Sequence, residues 1–248
     1  MGRVQGKVAL ITGGASGLGA EAARTLAREG AQIVITDVQE ELGRKVAAEI
    51  PGALFLKHDV RREDEWQQVV EQAVAAFGTI DVLVNNAGVV RFANVEELSY
   101  ADYKFQVEIM LDGTFLGCKY ALPKMTKTGG GSIINISSVG GIKGLSSIPA
   151  YAAAKGGIIS ITRSVAIHCQ EQDYGIRCNA IAPGGIATPM MDQAMSAIDL
   201  DDPGMAQNKN FGLGHPSDIA NAVLYLASDE SRFMTGAVMV IDNGETIR

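Results

Sequence analysis

Val8-Ala9-Leu10-Ile11 runs into Thr12-Gly13-Gly14-Ala15-Ser16-Gly17-Leu18-Gly19, and a helical pattern opens directly after the last glycine. A short apolar run rich in β-branched residues reads as a strand buried on both faces, and glycines at its end permit a tight turn into a helix. The same alternation repeats outward from this junction. A helix over 21–29 leads to a strand over 33–35, a helix over 40–50 to a strand over 53–56, and a helix over 66–77 to a strand over 82–84. A long helix over about 99–127 follows, then a strand at 132–136, a helix at 151–171, a strand at 176–181, a helix at 217–227 and a strand at 238–241. Apolar strands separated by helices imply a parallel sheet with right-handed crossovers, covered on both faces. The predicted fold is a single-domain, doubly wound α/β (Rossmann-like) sheet spanning residues 1–248.

The bulk composition narrows the function. Of 248 residues, 47% are hydrophobic and 20% charged, enough apolar material for one large core. Lys and Arg number 21 against 28 Asp and Glu, a net charge of −7, the wrong sign for nucleic-acid phosphates or an anionic membrane. No nucleic-acid or membrane partner is therefore expected. Cys118, Cys169 and Cys178 lack metal-ligand or CxxC spacing, so they read as reduced thiols of a cytoplasmic protein without a metal site. The first residues carry no leader pattern, and no apolar stretch reaches spanning length. His58, His168 and His215 are scattered and read as structural, and Trp66 and Phe77 as core. One long segment lacks periodicity, about 187–215. Its Met190, Met191, Met195, Met205 and Phe211 among Asp199, Asp201 and Asp202 suggest an apolar flap over a ligand.

The glycine turn has the spacing G-x-x-x-G-x-G, which brings backbone N–H groups against a pyrophosphate at the positive end of the following helix. Eighteen residues beyond Gly19 stands Asp37, at the end of the second strand, where a carboxylate accepts hydrogen bonds from ribose hydroxyls and repels a 2′-phosphate. Neither Ser16 nor Val38 supplies a neutralising base, so NAD is favoured over NADP. Asp59 and Asn86 follow the third and fourth strands, at the sheet edge where such folds bind ligands.

A second cluster suits proton transfer. Tyr151 and Lys155 are four apart on one helix and so share a face. A neighbouring ammonium stabilises a phenolate and lowers the phenol pKa from its ordinary value near 10. Ser138, thirteen residues earlier at the end of a strand, offers a hydroxyl to orient a substrate oxygen.

With these motifs in place the chain resembles the short-chain dehydrogenases/reductases over essentially its whole length. Thr12 to Gly19 is similar to the family's cofactor turn, Asn85-Asn86-Ala87-Gly88 to its fourth-strand motif, and Ser138, Tyr151 and Lys155 to its catalytic trio. Pro183-Gly184, with Ile186 and Thr188, resembles the segment that holds the nicotinamide carboxamide. The resemblance implies hydride exchange between an alcohol carbon and NAD. In that scheme Tyr151 is the acid/base, Ser138 holds the substrate oxygen, and Lys155 binds the nicotinamide ribose and lowers the Tyr151 pKa. The implied cofactor-binding set is Gly13, Ser16, Gly17, Leu18, Gly19, Asp37, Asp59, Val60, Asn86, Ala87, Gly88, Tyr151, Lys155, Pro183, Gly184, Ile186 and Thr188.

One position departs from the family. Met110 stands where an Asn usually helps to hold a water-linked proton relay to the lysine, and a thioether donates no hydrogen bond. His58-Asp59-Val60, Gly130 to Asn135, Tyr174 to Asn179 and Thr188-Pro189-Met190-Met191 are most similar to bacterial hydroxysteroid and alicyclic secondary-alcohol dehydrogenases. Ile142, Leu145, Ile148, Met190, Met191 and Met195 are the candidate apolar pocket for such a substrate. A 3-oxoacyl-carrier reductase and a non-catalytic NAD-binding relative are the rival readings. By the same resemblance, the strongly apolar helices over 109–122 and 158–167 would pack between subunits of a homotetramer.

Overall fold

The computed structural model describes residues 2–192 and 212–247. Seven strands, β1 (Val8–Thr12), β2 (Gln32–Asp37), β3 (Leu54–Lys57), β4 (Val82–Asn85), β5 (Gly131–Ile136), β6 (Ile176–Pro183) and β7 (Val238–Ile241), form one sheet in the order β3-β2-β1-β4-β5-β6-β7. Every neighbouring pair is parallel. The helices are α1 (Gly17–Arg28), α2 (Glu40–Ala48), α3 (Glu63–Phe77), α4 (Tyr100–Val107), α5 (Gly113–Met125), α6 (Pro149–Glu171) and α7 (Pro216–Ala227).

The core explains why the strands are apolar throughout. Successive side chains of a strand point to opposite faces. Ala9 and Ile11 of β1 therefore join Leu26, Ile35, Ile134, Ile181 and Leu226 in one buried cluster, beneath α1 and α7. Val8 and Leu10 join Val34, Leu83, Ile133, Trp66 and Met125 in another, beneath α3 and α5. Both faces of β1 are dry, as the doubly wound reading requires.

The strand order reverses between β1, which is followed by β2 and β3 on one side, and β4, which opens the other side. A crevice at the carboxyl ends of strands about such a switch point is where open α/β sheets bind ligands. The glycine turn after β1 and the Asn86-Ala87-Gly88 segment after β4 both lie there.

Two expectations need amendment. The helix expected over 99–127 is divided: α4 passes through a π-helical turn, Glu108–Asp112, into α5. Met110 sits in that turn and is fully buried. A π-turn is a device seen most often beside functional sites. Of the flap expected over 187–215, residues 193–211, and with them Met195, Met205 and Phe211, lie outside the described residues.

Candidate active site

The glycine turn is held together by its neighbours across the switch point. Asn86 donates its side-chain amide to the carbonyls of Thr12 (2.9 Å) and Gly13 (3.0 Å). The Thr12 hydroxyl accepts the backbone N–H groups of Asn86 and Ala87, at 3.0 and 3.1 Å. The Asn86 side chain thus braces the turn from across the switch point. Gly13 has a φ of 64°, and a Cβ there would stand 2.8 Å from Ala87 Cα; one at Gly19 would overlap the Gly13 carbonyl. Only glycine lets the two segments approach this closely.

The turn fits an anionic, ribose-bearing ligand. α1 starts at its far end with no acidic residue in the first turn, and the Ser16 side chain at the N-cap makes no capping bond. Such a helix end attracts phosphate. Asp37, buried at the end of β2, accepts the Ala15 N–H at 3.1 Å and the Gln39 N–H at 3.0 Å, which fixes its carboxylate beside the turn. The next residue, Val38, is an exposed apolar side chain rather than a base. Thr188 comes to the other side of the turn: its methyl would lie 3.5 Å from a Cβ at Gly17. Ile186, bridged to Gly214, is buried beneath it, and the Thr188 hydroxyl donates to the Ile186 carbonyl at 3.3 Å. The hinge between Pro183 and Ile186 is fastened by the Gly184 N–H, which donates to the Ile241 carbonyl at 2.9 Å.

Asp59 and Val60 occupy the next position along the edge. Arg61 grips the Asp59 carboxylate with three guanidinium contacts of 2.5 to 3.1 Å, and hydrogen bonds from this guanidinium hold the Asp59 pKa down despite partial burial. The Val60 carbonyl accepts the Trp66 indole N–H at 2.9 Å. Beneath them His58 is buried edge-on to Trp66, with Nδ1 3.1 Å from the Thr36 hydroxyl and Nε2 without a hydrogen-bond partner. Burial pushes its pKa down to about 4, partly opposed by Asp59, so it is neutral at pH 7.

The second cluster adjoins the first through β5 and α6. Ser138 follows β5 and caps a short turn, its Oγ accepting the Gly140 N–H at 3.1 Å. Pro149 starts α6 at a position where its missing N–H costs nothing, and two residues later the helix delivers Tyr151 to Ser138. Ser138 Oγ and Tyr151 Cε1 would each lie 3.5 Å from a Cβ on Gly140, which puts the hydroxyl beside the phenol ring. One turn on, Lys155 is buried and donates Nζ to the Ile136 carbonyl at 2.7 Å, while the Ser137 hydroxyl donates to the Lys155 carbonyl at 2.8 Å. Lys155 Nζ lies 5.5 Å from the centre of the Tyr151 ring. A Cβ at Gly88 would be 3.7 Å from that Nζ, which places the segment after β4 directly against the lysine.

The electrostatics differ from expectation in one respect. Burial pushes the Tyr151 phenol above its ordinary value, and the Ser138 hydrogen bond only partly opposes it. Burial also lowers Lys155 to about 8. The expected lowering of the tyrosine by the lysine does not appear, because the ammonium is turned onto the Ile136 carbonyl and desolvation dominates both groups. The cluster carries the groups that proton transfer requires: a phenol beside a hydroxyl, next to an amine whose pKa burial lowers to about 8.

Met110 packs with Ala154, Ile158 and Tyr151 in a small apolar cluster, and its own carbonyl accepts the Thr114 hydroxyl at 2.7 Å. The thioether supplies packing at the back of the trio. Among the expected pocket residues, Leu145 Cδ1 approaches Gly140, and Met191 with Leu213 approaches Gly185. A separate cavity around Lys7, Asp81 and Arg177 lies at the opposite, amino-terminal edge of the sheet and contains none of the candidate residues. Sequence reasoning missed Lys143 and Glu245, which form an ion pair beside the Pro183-Gly184 turn; they are far apart in the chain and belong to no motif.

Comparison with known proteins settles the family. Residues 13–246 match the family model described as enoyl-(acyl carrier protein) reductase. The chain belongs to the short-chain dehydrogenases/reductases. Three curated members of this family align over nearly the full length of the chain. Trans-4-hydroxycyclohexanecarboxylate dehydrogenase of Sinomonas cyclohexanicum is 42% identical, covering 98% of this chain and 94% of that protein. The NADP-dependent (R)-specific alcohol dehydrogenase of Lentilactobacillus kefiri is 38% identical, covering 98% of each chain. The 3-beta-hydroxysteroid dehydrogenase of Comamonas testosteroni is 39% identical, covering 97% of this chain and 96% of that protein. The crystal structure of levodione reductase matches with a TM-score of 0.91 at 36% identity, covering 99% of each chain. The short-chain dehydrogenase/reductase fold is thus shared in full, and the likeness to hydroxysteroid and alicyclic-alcohol dehydrogenases read from the sequence stands.

Proposed function

We propose that this chain is an NAD-dependent dehydrogenase/reductase that interconverts a secondary alcohol and its ketone, the substrate being a hydroxysteroid or another cyclic, apolar alcohol. The observation that carries the reading is the meeting of Ser138 and Tyr151 beside Gly140, with Lys155 one helical turn along and buried against the Gly88 segment.

The nicotinamide cofactor, when bound, supplies the hydride acceptor or donor. Its pyrophosphate would sit over Gly13, Ser16, Gly17, Leu18 and Gly19, its adenosine against Asp37, Asp59 and Val60, and its nicotinamide half beside Ala87, Gly88, Tyr151, Lys155, Pro183, Gly184, Ile186 and Thr188, with Asn86 bracing the turn. Asp37 with Val38 beside it supports NAD over NADP, although a relative is NADP-dependent.

The chain's own groups do the remaining work. The Ser138 hydroxyl orients the substrate oxygen, and the Tyr151 Oη takes its proton during oxidation or returns one during reduction. The base in oxidation is the Tyr151 phenolate, formed when the phenol first gives its own proton to solvent, and the phenolate left after reduction takes one back from solvent. The Lys155 ammonium, 5.5 Å from the ring centre, supplies the positive charge that favours it. Leu145, Met191 and Leu213 exclude water around the carbon that changes oxidation state.

Exposed Phe115 on α5 and Ile167 on α6 support a homotetramer in which these helices pack between subunits. Three buried free thiols support a cytoplasmic protein, and no helix among the described residues is long and apolar enough to cross a membrane.

The test is NAD-dependent oxidation of hydroxysteroids, cyclic alcohols and aryl carbinols, followed by NADH absorbance, with Tyr151→Phe alongside. Turnover that falls by at least about 10³-fold in Tyr151→Phe is the expected result, since removing one member of a unit that acts together costs most of the rate. Turnover retained in Tyr151→Phe would overturn the Ser-Tyr-Lys reading, and tight NAD binding without turnover on any of these compounds would leave a substrate outside the panel or a cofactor-binding relative.

A further inference from the structure

The last residues of the chain fold back onto the site. After β7 the Asp242 carboxylate accepts the N–H of Gly244 (2.9 Å), the N–H of Thr246 (2.7 Å) and the Thr246 hydroxyl (2.7 Å). Asn243 and Gly244 take the left-handed conformation, with φ of 51° and 82°. This hook points Glu245 back across the carboxyl edge of the sheet. One carboxylate oxygen, Oε1, meets Lys143 Nζ at 2.7 Å, and the two side chains are only 16% and 31% exposed. The other, Oε2, is 2.9 Å from where a Cβ on Gly184 would be. Glu245 therefore touches two segments at once: the loop after Ser138 and the Pro183-Gly184 turn.

The loop it reaches needs an anchor. Between the short turn Val139–Gly141 and the start of α6, Ile142 is exposed and Gly144 has open space around it. Its far end is tied to a distant segment by the Ala93 N–H, which donates to the Ser147 carbonyl at 3.0 Å, and locally by the Ile148 N–H to the Leu145 carbonyl at 3.4 Å and the Ala152 N–H to the Ile148 carbonyl at 2.9 Å. The same loop carries Leu145, whose Cδ1 would lie 3.2 Å from a Cβ on Gly140, and that Cβ would be 3.5 Å from both Ser138 Oγ and Tyr151 Cε1. A shift of the loop moves the apolar wall at the reacting carbon.

We propose that Glu245 is a positioning residue which, through Lys143, locks the loop over 142–148 against the Pro183-Gly184 turn and so sets the seat of the alcohol. This rests on the dehydrogenase reading above for what the seat holds. A partly buried ion pair with a direct hydrogen bond holds a loop more firmly than an exposed one, because less water competes for either charge. The pair touches neither Tyr151 nor the glycine turn, so its loss acts on substrate seating and leaves proton transfer in place.

The experiment combines kinetics with hydrogen exchange on Glu245→Gln, Lys143→Gln and the charge-swapped Lys143→Glu/Glu245→Lys protein. Expected are a rise in KM for the alcohol of about 5- to 10-fold in each single variant, kcat within about twofold of wild type, and severalfold faster amide exchange over 139–148. The swapped protein should recover most of the KM and the slow exchange. Exchange is read without substrate, so it judges the loop lock even if the alcohol panel fails and the dehydrogenase reading falls. Unchanged exchange in both single variants, a KM rise that the swap does not repair, or a parallel loss of kcat would overturn the inference.

Discussion

Replacing Lys155 by Met should make the protein more stable and inactive at once. The lysine is 3% exposed, and burial lowers its pKa from 10.5 to about 8. At ~1.4 kcal/mol per tenfold change, that drop corresponds to about 3 kcal/mol of charge-burial cost in the folded state. The Met side chain follows the same unbranched path but leaves the Ile136 carbonyl without the 2.7 Å donor, a loss of about 1 kcal/mol. The variant should therefore gain about 2 kcal/mol at pH 7. Below pH 8 the lysine is charged in both folded and unfolded chains and the cost is constant. Between pH 8 and 10.5 the folded chain releases the proton while the unfolded chain keeps it, so the wild type gains stability relative to the variant. Above 10.5 the ammonium cost is gone. Urea unfolding at fixed protein concentration from pH 7 to 10, followed by the fluorescence of Trp66, the one tryptophan and a fully buried one, reads this directly. A variant less stable than wild type at pH 7, or a difference that does not change with pH, would refute the reasoning. The confirmed result would show a lysine kept for chemistry against the interest of the fold.

Other groups make independent predictions. His58, neutral and with a pKa near 4, should destabilise the fold by up to about 3 kcal/mol as pH falls from 6.5 to 4, because the unfolded chain takes up the proton first; urea midpoints of wild type and His58→Phe should diverge only in that window. Gly117→Ala should cost about 1–3 kcal/mol by the same assay, since its Cβ would overlap Asn85 Oδ1 and stand 2.8 Å from the Trp66 ring. Asp37→Ser should lower the preference for NAD over NADP by at least about tenfold in calorimetric Kd values, through removal of a negative charge facing a 2′-phosphate; an unchanged ratio would move the discrimination elsewhere. Met110→Asn buries an amide in an apolar cluster and should cost about 1–3 kcal/mol; a rise in kcat in the same variant would show that the thioether limits the proton relay.

Much of the architecture was legible because it rests on local signals. The apolar run Val8 to Ile11 had to be buried on both faces, and the glycines after it had to turn, whatever lay elsewhere in the chain. Parallel pairing, seven strands and the crevice at the switch point follow from that pattern together with the handedness of crossovers. Asp37, Ser138, Tyr151 and Lys155 could be picked out because each sits at a fixed offset from a strand end or within one helical turn.

The tertiary structure decided what depends on desolvation and on contacts between distant segments. Neighbouring charges alone suggested a lowered Tyr151 pKa, yet the burial of both residues raises the phenol and turns the ammonium onto Ile136. The strand-end position of Asn86 could be read from the sequence, but the tie of its amide to the Thr12 and Gly13 carbonyls, 73 and more positions away, could not. The π-turn that buries Met110 behind Tyr151 has no signature in helical periodicity, because an extra residue in one turn changes phase without changing composition. Lys143 and Glu245 are 102 positions apart and meet only because β7 ends beside β6 at the carboxyl edge of the sheet. Hydrophobic pattern and turn chemistry are properties of neighbouring residues; dielectric surroundings and long-range pairing are properties of the packed fold, and the finer chemistry of this site belongs to them.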